Sequence, residues 1–210
     1  MSTSGTKPRG ATSYKETAFG ILPRAKLLQL EIKGTKKGLE YLYNLVKKNS
    51  NTSITPEFIC KLHDISFAWI FPQWAGTYRK IQVTFSDKEA PPYFEVSALT
   101  TNLCKDLEAR LKHLPANEDE QFILEVVKLL AWFQHRFVFI HPFQDYNGRT
   151  ARMLTILILL KLDLPPNELK ADTGEDREKY LSAMQQADAG DFALLEQLIG
   201  QALSESLETS

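Results

Sequence analysis

Hydrophobic residues recur at helical spacing through most of the chain. From Pro23 onward, leucines return every three or four residues with Lys and Glu between them, which predicts an amphipathic helix ending at Asn49-Ser50-Asn51. Gly34 is a candidate break in that helix. Thr55 followed by Pro56 is typical of a cap and the first position of another helix. Further helices are predicted at about 98–111, 119–137, 147–162, 175–187 and 191–207.

One segment follows a different period. Ile81, Val83 and Phe85 alternate with polar residues, which is typical of a strand, and a polar stretch with Pro91-Pro92 follows. The pattern predicts a short β-hairpin, or flap, over about 79–96, and strand structure is expected only there. The predicted fold class is therefore all-α, a helical bundle with one short β-hairpin flap.

Composition changes along the chain only at its start. Residues 1–18 are rich in Ser, Thr, Gly and Lys and are interpreted as a flexible N-terminal arm. The remaining 19–210 have the length of a single domain, with a core predicted over 58–162.

The overall charge limits the kinds of partner. The formal net charge is -1, so we expect no general attraction to nucleic acid or to an anionic membrane, and a phosphate site would need local positive charge. Cys60 and Cys104 lie in apolar helical patterns and are expected to be reduced, buried thiols. The start has no apolar segment typical of a secretory signal, and the apolar run 153–160 is too short to span a bilayer, so the expected location is cytoplasmic.

The residues with the clearest chemistry lie together in HPFQDYNGRTAR (141–152). The start of a helix presents N–H groups that attract an anion, and Arg149 and Arg152 at i and i+3 project from the same face of it. Asp145 is one turn away and could hold Mg²⁺ beside phosphates, and His141 could take a proton near neutral pH. Base, metal carboxylate, anion cradle and phosphate clamps together indicate phosphoryl or nucleotidyl transfer.

Each of these residues also has a structural interpretation. His141 could be a hydrogen-bonded structural histidine, Asp145 or Asn147 could cap the helix, and the two arginines could form surface ion pairs. Four such coincidences on one loop would be needed together, and this favours the functional interpretation.

The motif resembles the Fic signature, His-x-Phe-x-Asp/Glu-Gly-Asn-Gly-Arg-x-x-Arg. The matching residues are His141, Phe143, Asp145, Asn147, Gly148, Arg149 and Arg152. Segments 74–80 and 91–96 resemble the entry to and exit from the target-docking flap of that family, and 135–140 resembles the helix end before the motif. The resemblance covers about 58–162, with a family-like tail to about Leu203.

The resemblance implies a protein adenylyltransferase that moves AMP from Mg·ATP to a hydroxyl of a target protein. His141 would be the general base, Phe143 a buried anchor and Asp145 the Mg²⁺ ligand. Asn147, Gly148 and nearby backbone N–H groups would form an anion hole. Arg149 and Arg152 would hold the ATP phosphates. The flap at 79–96 would hold the target protein by strand addition.

Two positions bear on the reaction. Doc-type relatives, which are kinases, have Lys where this chain has Gly148, so Gly favours AMP transfer. Tyr146 stands where the family has Gly, and a positive φ there would cost about 1 kcal/mol. We expect the Tyr146 ring to point away from the phosphates and its N–H to serve the anion hole, which places Tyr146 with the nucleotide-binding residues. The alternatives are a degenerate fold that acts as a binding or regulatory protein, and transfer of a phosphoryl group or of another nucleotide.

Regulation in this family often uses Ser/Thr-x-x-x-Glu-Gly/Asn, whose Glu pairs with the second motif Arg. No Glu of this chain is followed by Gly or Asn. Half-matches at Thr12–Glu16, Ser53–Glu57 and Ser204–Glu208 are interpreted as chance. Inhibition, where it exists, is expected from a separate protein.

Overall fold

The computed structural model describes residues 4–5, 16–48, 52–86, 88–167, 169, 171 and 174–208. They form seven α-helices and three very short strands, which confirms the all-α class. The helices are α1 (Arg24–Lys48), α2 (Pro56–Phe67), α3 (Val96–Lys112), α4 (Phe122–Ile140), α5 (Asn147–Lys161), α6 (Gly174–Asp188) and α7 (Ala193–Glu208). None of these helices is both long and apolar enough to cross a membrane.

The flap contains a small sheet. Strand β2 (Val83–Phe85) pairs antiparallel with β3 (Lys88–Glu89), with Thr84 opposite Glu89. Strand β1 (Ser4–Gly5) pairs parallel with the other edge of β2. The expectation that strands occur only in 79–96 is therefore wrong at Ser4–Gly5, because an open strand edge offers N–H and C=O groups to any passing segment. Most of the predicted arm, residues 1–18, lies outside the described residues.

The return side of the flap is mostly not a strand. After β3, Tyr93–Glu95 form a 3₁₀ turn that runs directly into α3. The two prolines before this turn supply no backbone N–H, so they cannot extend the ladder.

Helix α1 is continuous, so Gly34 does not break it. A side chain at Gly34 would collide with the backbone oxygen of Ser66 in α2, and one at Gly38 would collide with the Ser66 hydroxyl. The two glycines lie one turn apart on the face that packs against α2. Glycine is required at both positions because the two helix backbones approach closely there. The packing against α2 keeps α1 helical at both glycines.

The chain divides into two compact units. The first comprises 1–104 and 137–153, and the second 105–136 and 154–210. Fully buried rings dominate the first unit, with Phe67, Phe71 and Phe143 at most 1% exposed. In the second unit, α6 packs on α7, with Leu195 and Ile199 buried. That 19–210 behave as one domain stays a prediction.

Both cysteines are free thiols. Cys104 is buried and Cys60 is partly buried. Burial raises the pKa of both, that of Cys104 to about 12, so both are protonated near neutral pH. Neither has the character of a reactive thiolate.

Candidate active site

The 141–152 motif forms a tight loop between the end of α4 and the start of α5, within the first unit. His141 is 7% exposed and has a φ of 51°. Its Nδ1 lies 3.1 Å from the Val138 carbonyl oxygen. Because a carbonyl only accepts, neutral His141 carries its hydrogen on Nδ1, and Nε2 is the nitrogen that can take a proton. The ring stacks on Phe85 of β2, with centroids 4.4 Å apart.

Arg79 joins this end of the loop to the flap. Its Nε donates to the His141 carbonyl at 2.8 Å, and Nη2 lies 3.4 Å from the Ile140 carbonyl. The same guanidinium donates to the carbonyls of Ile81 and Pro91, on the entry and exit sides of the flap. Its backbone N–H donates to the Pro142 carbonyl. Arg79 is 3% exposed, so the position of the histidine backbone depends on a buried cation that binds uncharged carbonyl groups.

The middle of the loop is closed by Asn147 and anchored by Phe143. The Asn147 amide accepts from the Phe143 N–H and donates to the Phe143 carbonyl, both at 2.8 Å. Its side chain is therefore committed to the loop, and any part it has in an anion hole falls to its backbone N–H. Phe143 is fully buried and stacks on His63 of α2, with ring centroids 3.8 Å apart.

His63 ties α2 to the loop. Its Nδ1 accepts from the Gly76 N–H at 2.9 Å, so Nε2 carries the hydrogen and donates to the Asp145 carbonyl at 3.1 Å. The turn that supplies this N–H needs glycine: Gly76 has a φ of 80°, and an added Cβ would lie 2.7 Å from the Asp64 Cβ. Buried, neutral His63 thus holds the backbone at Asp145.

Tyr146 is part of the core. Its φ is 61°, a positive value that fits a position where the family has glycine, and its side chain is buried, with 5% exposure. The ring stacks on Phe67 with centroids 4.3 Å apart and lies parallel to Trp74. Its N–H, which we expected in an anion hole, donates instead to Asp145 Oδ1 at 2.8 Å. The ring therefore offsets the backbone strain by burial, while the N–H orients the proposed metal carboxylate.

The hydroxyl of Tyr146 leads to Glu31, on α1. It donates to Glu31 Oε1 at 2.8 Å, and Arg149 Nη2 forms an ion pair with Glu31 Oε2 at 3.0 Å. Arg24 Nη1 lies 3.3 Å from Oε1. Glu31 is 1% exposed, and Arg149 Nη1 is buried with no hydrogen-bond partner among the described residues. A buried donor without a partner carries a cost that an anionic ligand would remove.

The start of α5 can bind an anion. The N–H groups of Asn147, Gly148 and Arg149 precede the first intrahelical bond of α5, from the Thr150 N–H to the Tyr146 carbonyl. An added Cβ at Gly148 would be in ordinary contact with Arg152 Nη1, at 3.6 Å. The Arg152 guanidinium therefore lies beside the first turn, and packing does not require the glycine.

Three residues that support the site lie outside the motif and are not predicted from it: Glu31, Arg79 and His63. A sequence signal exists for Glu31, because it is the one charged residue at the buried positions of α1, which are Leu27, Glu31, Gly34, Gly38 and Leu42. Arg79 lies in phase with the buried Val83, which is a weaker indication. His63 lies on the buried face of α2, and its two partners come from distant parts of the chain.

Comparison with known proteins agrees with this fold and motif. A family model described as the Fic/DOC family matches residues 53–159. Protein adenylyltransferase Fic of Nematostella vectensis is 32% identical over 177 residues, which are 84% of this chain and 38% of that protein. Protein adenylyltransferase Fic of Aedes aegypti is 29% identical over 77% of this chain and 30% of its own.

Solved structures have the same fold. A Fic-domain signaling protein from Bacteroides thetaiotaomicron superposes with a TM-score of 0.68 at 24% identity, over 85% of this chain and 70% of that one. BepC of Bartonella tribocorum, solved with bound AMPPNP, gives a TM-score of 0.64 at 18% identity, over 93% of this chain and 94% of that one.

The chain therefore belongs to the Fic/DOC family, and its fold is the Fic fold with a small flap. It spans less than two fifths of the length of the two curated relatives described above.

Proposed function

We propose that this chain is a protein adenylyltransferase that uses ATP. The observation that carries the proposal is Arg149 Nη1: Arg149 belongs to the first turn of α5, and this buried donor has no hydrogen-bond partner in the described part of the chain. The curated relatives named protein adenylyltransferase Fic support the class of reaction, and the AMPPNP-bound BepC supports a nucleotide at this kind of fold. Arg152 and the N–H groups of 147–149 would bind the remaining phosphate charge.

The proposed reaction transfers a nucleotidyl group. The hydroxyl oxygen of the target attacks the α-phosphorus of ATP, its proton goes to His141 Nε2, and the bond from the α-phosphorus to the bridging oxygen breaks. The products are an AMP-modified protein and pyrophosphate. Because the Val138 carbonyl holds the hydrogen on Nδ1, Nε2 is the nitrogen that would take the proton in this tautomer.

Asp145 fits an Mg²⁺ ion that is shared with a nucleotide. Its Oδ1 is oriented by the Tyr146 N–H and its backbone by His63. In the described part of the chain, no three His, Cys, Asp or Glu side chains are grouped to hold a metal ion, so phosphates and water would supply the other ligands. Bound there, Mg²⁺ would neutralise phosphate charge.

Target docking is proposed at the flap, beside a groove lined by Gln82, Glu89, Pro92 and Phe139. Ser4–Gly5 and Lys88–Glu89 occupy the two edges of β2. A target strand would therefore displace Ser4–Gly5 or add to the outer edge of β3. The cytoplasmic location and a separate inhibitory protein also stay predictions.

One observation favours the second candidate, a nucleotide-free binding protein. The Tyr146 N–H is bonded to Asp145 Oδ1, which removes one donor from the anion hole. Incubation with α-labelled or γ-labelled ATP, Mg²⁺ and a cell lysate separates the candidates. Protein-bound α-label supports adenylyl transfer, γ-label alone indicates a kinase, and no label with no ATP binding favours the binding protein.

A further inference from the structure

The carboxylate of Glu31 is the most buried charge near the loop, and three groups converge on it. Tyr146 and Arg24 contact Oε1 at 2.8 and 3.3 Å, and Arg149 contacts Oε2 at 3.0 Å. Its relative exposure is 1%, whereas that of the Arg24 side chain is 38%. The carboxylate therefore faces the motif on its inner side and a solvent-exposed arginine on its outer side.

We propose that Glu31 is a positioning residue for nucleotide binding, which holds Arg149 with one guanidinium nitrogen toward α1 and the other toward the anion site. The proposal rests on the proposed function, since it assumes that Arg149 binds ATP. Glu31 does not touch the nucleotide in this arrangement. It acts through Arg149 and Tyr146.

The geometry indicates that Glu31 positions Arg149 for the nucleotide and does not keep Arg149 away from it. An arginine has five N–H donors in a rigid fork, so one carboxylate does not use all of them. Arg149 Nη2 faces Glu31, while Nη1 is buried without a hydrogen-bond partner among the described residues. The guanidinium carbon also lies 5.6 Å from the centre of the Tyr146 ring. Both contacts restrict the side chain of Arg149 and leave one nitrogen directed elsewhere.

Tyr146 gives this arrangement a partner that glycine cannot supply. Its hydroxyl donates to Glu31 Oε1 at 2.8 Å, and stacking on Phe67 holds the ring in place. Among the described residues, a glycine at 146 would leave Glu31 Oε1 with only the longer contact to Arg24. The departure from the family motif and the buried acid on α1 are therefore one structural unit.

The test is ATP binding by the full chain with Mg²⁺, measured by calorimetry, for wild type and Glu31→Gln. Glutamine keeps the size and can still accept from Tyr146, but it lacks the charge for Arg149. We expect the Kd for ATP to rise about tenfold and kcat at saturating ATP to change less than about twofold. Glu40→Gln is the matched control, because Glu40 is an exposed acid on the same helix and should bind ATP as wild type does.

A double-mutant cycle separates positioning from a general effect on folding. In an Arg149→Ala background, Glu31→Gln should change the Kd less than about twofold, because the residue through which it acts is gone. An equal tenfold effect in both backgrounds would overturn the proposal, as would an unchanged Kd in the single variant. Faster transfer by Glu31→Gln would also overturn it, because Glu31 would then withhold Arg149.

Two further measurements keep the test decisive. Tyr146→Phe removes only the hydroxyl that donates to Glu31. If Glu31→Gln does not fold, Tyr146→Phe takes its place in the test, and we expect its Kd for ATP to rise about threefold. Arginine side-chain ¹⁵N NMR reports the ion pair without nucleotide. If the wild type binds no ATP, the proposed function fails. Separately, an Arg149 signal that Glu31→Gln leaves unchanged would show that Glu31 does not position Arg149.

Discussion

The two ends of the 141–152 loop are held by different kinds of interaction. At the His141 end, Arg79 donates to backbone carbonyls of the loop and of both sides of the flap. At the Arg149 end, a buried carboxylate lies between two arginines and a tyrosine hydroxyl. An ion pair orients the residue proposed to bind phosphate, whereas hydrogen bonds from a cation to uncharged carbonyl groups position the proposed base. We infer that damage at one end changes the chemical step, and damage at the other changes ATP binding.

His141→Ala should have the largest effect. Loss of the base is expected to lower transfer of α-label by about 10²- to 10⁴-fold, because a general base contributes about that much. The Kd for Mg·ATP should stay within about twofold, since His141 acts on a proton of the target. Labelling rates and calorimetry measure the two quantities. Wild-type turnover by this variant would show that the base is another group.

Arg79→Lys sharpens the comparison. A lysine keeps the charge, but its single nitrogen cannot reach carbonyls on both sides of the flap and at His141. We expect kcat to fall by about 10- to 100-fold, as misplaced catalytic groups do, with little change in the Kd for ATP. Arg177→Lys, at an exposed position of α6 outside the flap, is the control. A rise in Kd with an unchanged kcat would mean that the two ends are not independent.

Tyr146→Gly tests the residue that lies in the loop between His141 and Arg149. Losing the buried ring should cost about 3–5 kcal/mol of the free energy of unfolding, less about 1 kcal/mol recovered at the positive φ. Urea denaturation measures this. Transfer per folded molecule should change less than tenfold, about 1.4 kcal/mol in the barrier. An inactive wild type that this substitution strongly activates would instead identify Tyr146 as a block and favour the binding protein.

Gly148→Ala should have the smallest effect. Among the described residues the added Cβ meets only Arg152 Nη1, at 3.6 Å, so the variant should fold and gain about 0.5 kcal/mol or less. Labelling should match wild type, whereas Gly148→Lys should lower transfer of α-label. A large loss with alanine would indicate that phosphate approaches the backbone more closely than this geometry suggests.

The sequence predicted the helices and the motif because both depend on local patterns. The five helices α3 to α7 begin and end close to the expected residues, and Thr55 caps α2 as expected, accepting from the Phe58 N–H. The break predicted at Gly34 is absent because close packing on Ser66 outweighs the low helix propensity of glycine. Helix propensity says nothing about a neighbouring helix.

The supports of the site were harder to predict, because each joins segments far apart in the chain. Arg79 meets acceptors that become neighbours only when the flap folds against α4. The Tyr146 ring lies against residues of α2 and the following turn, which no spacing within the motif indicates. Glu31 could have been found, since a charged residue on a buried stripe demands a partner of opposite charge.

The close approach of α1 and α2 at Gly34 and Gly38 also fixes where Glu31 stands. One residue of slippage would move its side chain by 1.5 Å along the helix axis and about 100° around it, away from the loop. Gly38 lies seven residues, about 10 Å, along the helix from Glu31. A bulkier residue at Gly38 could therefore loosen nucleotide binding without touching the motif. The residues that determine this site therefore include positions in α1 outside the 141–152 motif. Two chains with identical motifs can differ in ATP affinity because they differ at a glycine in α1.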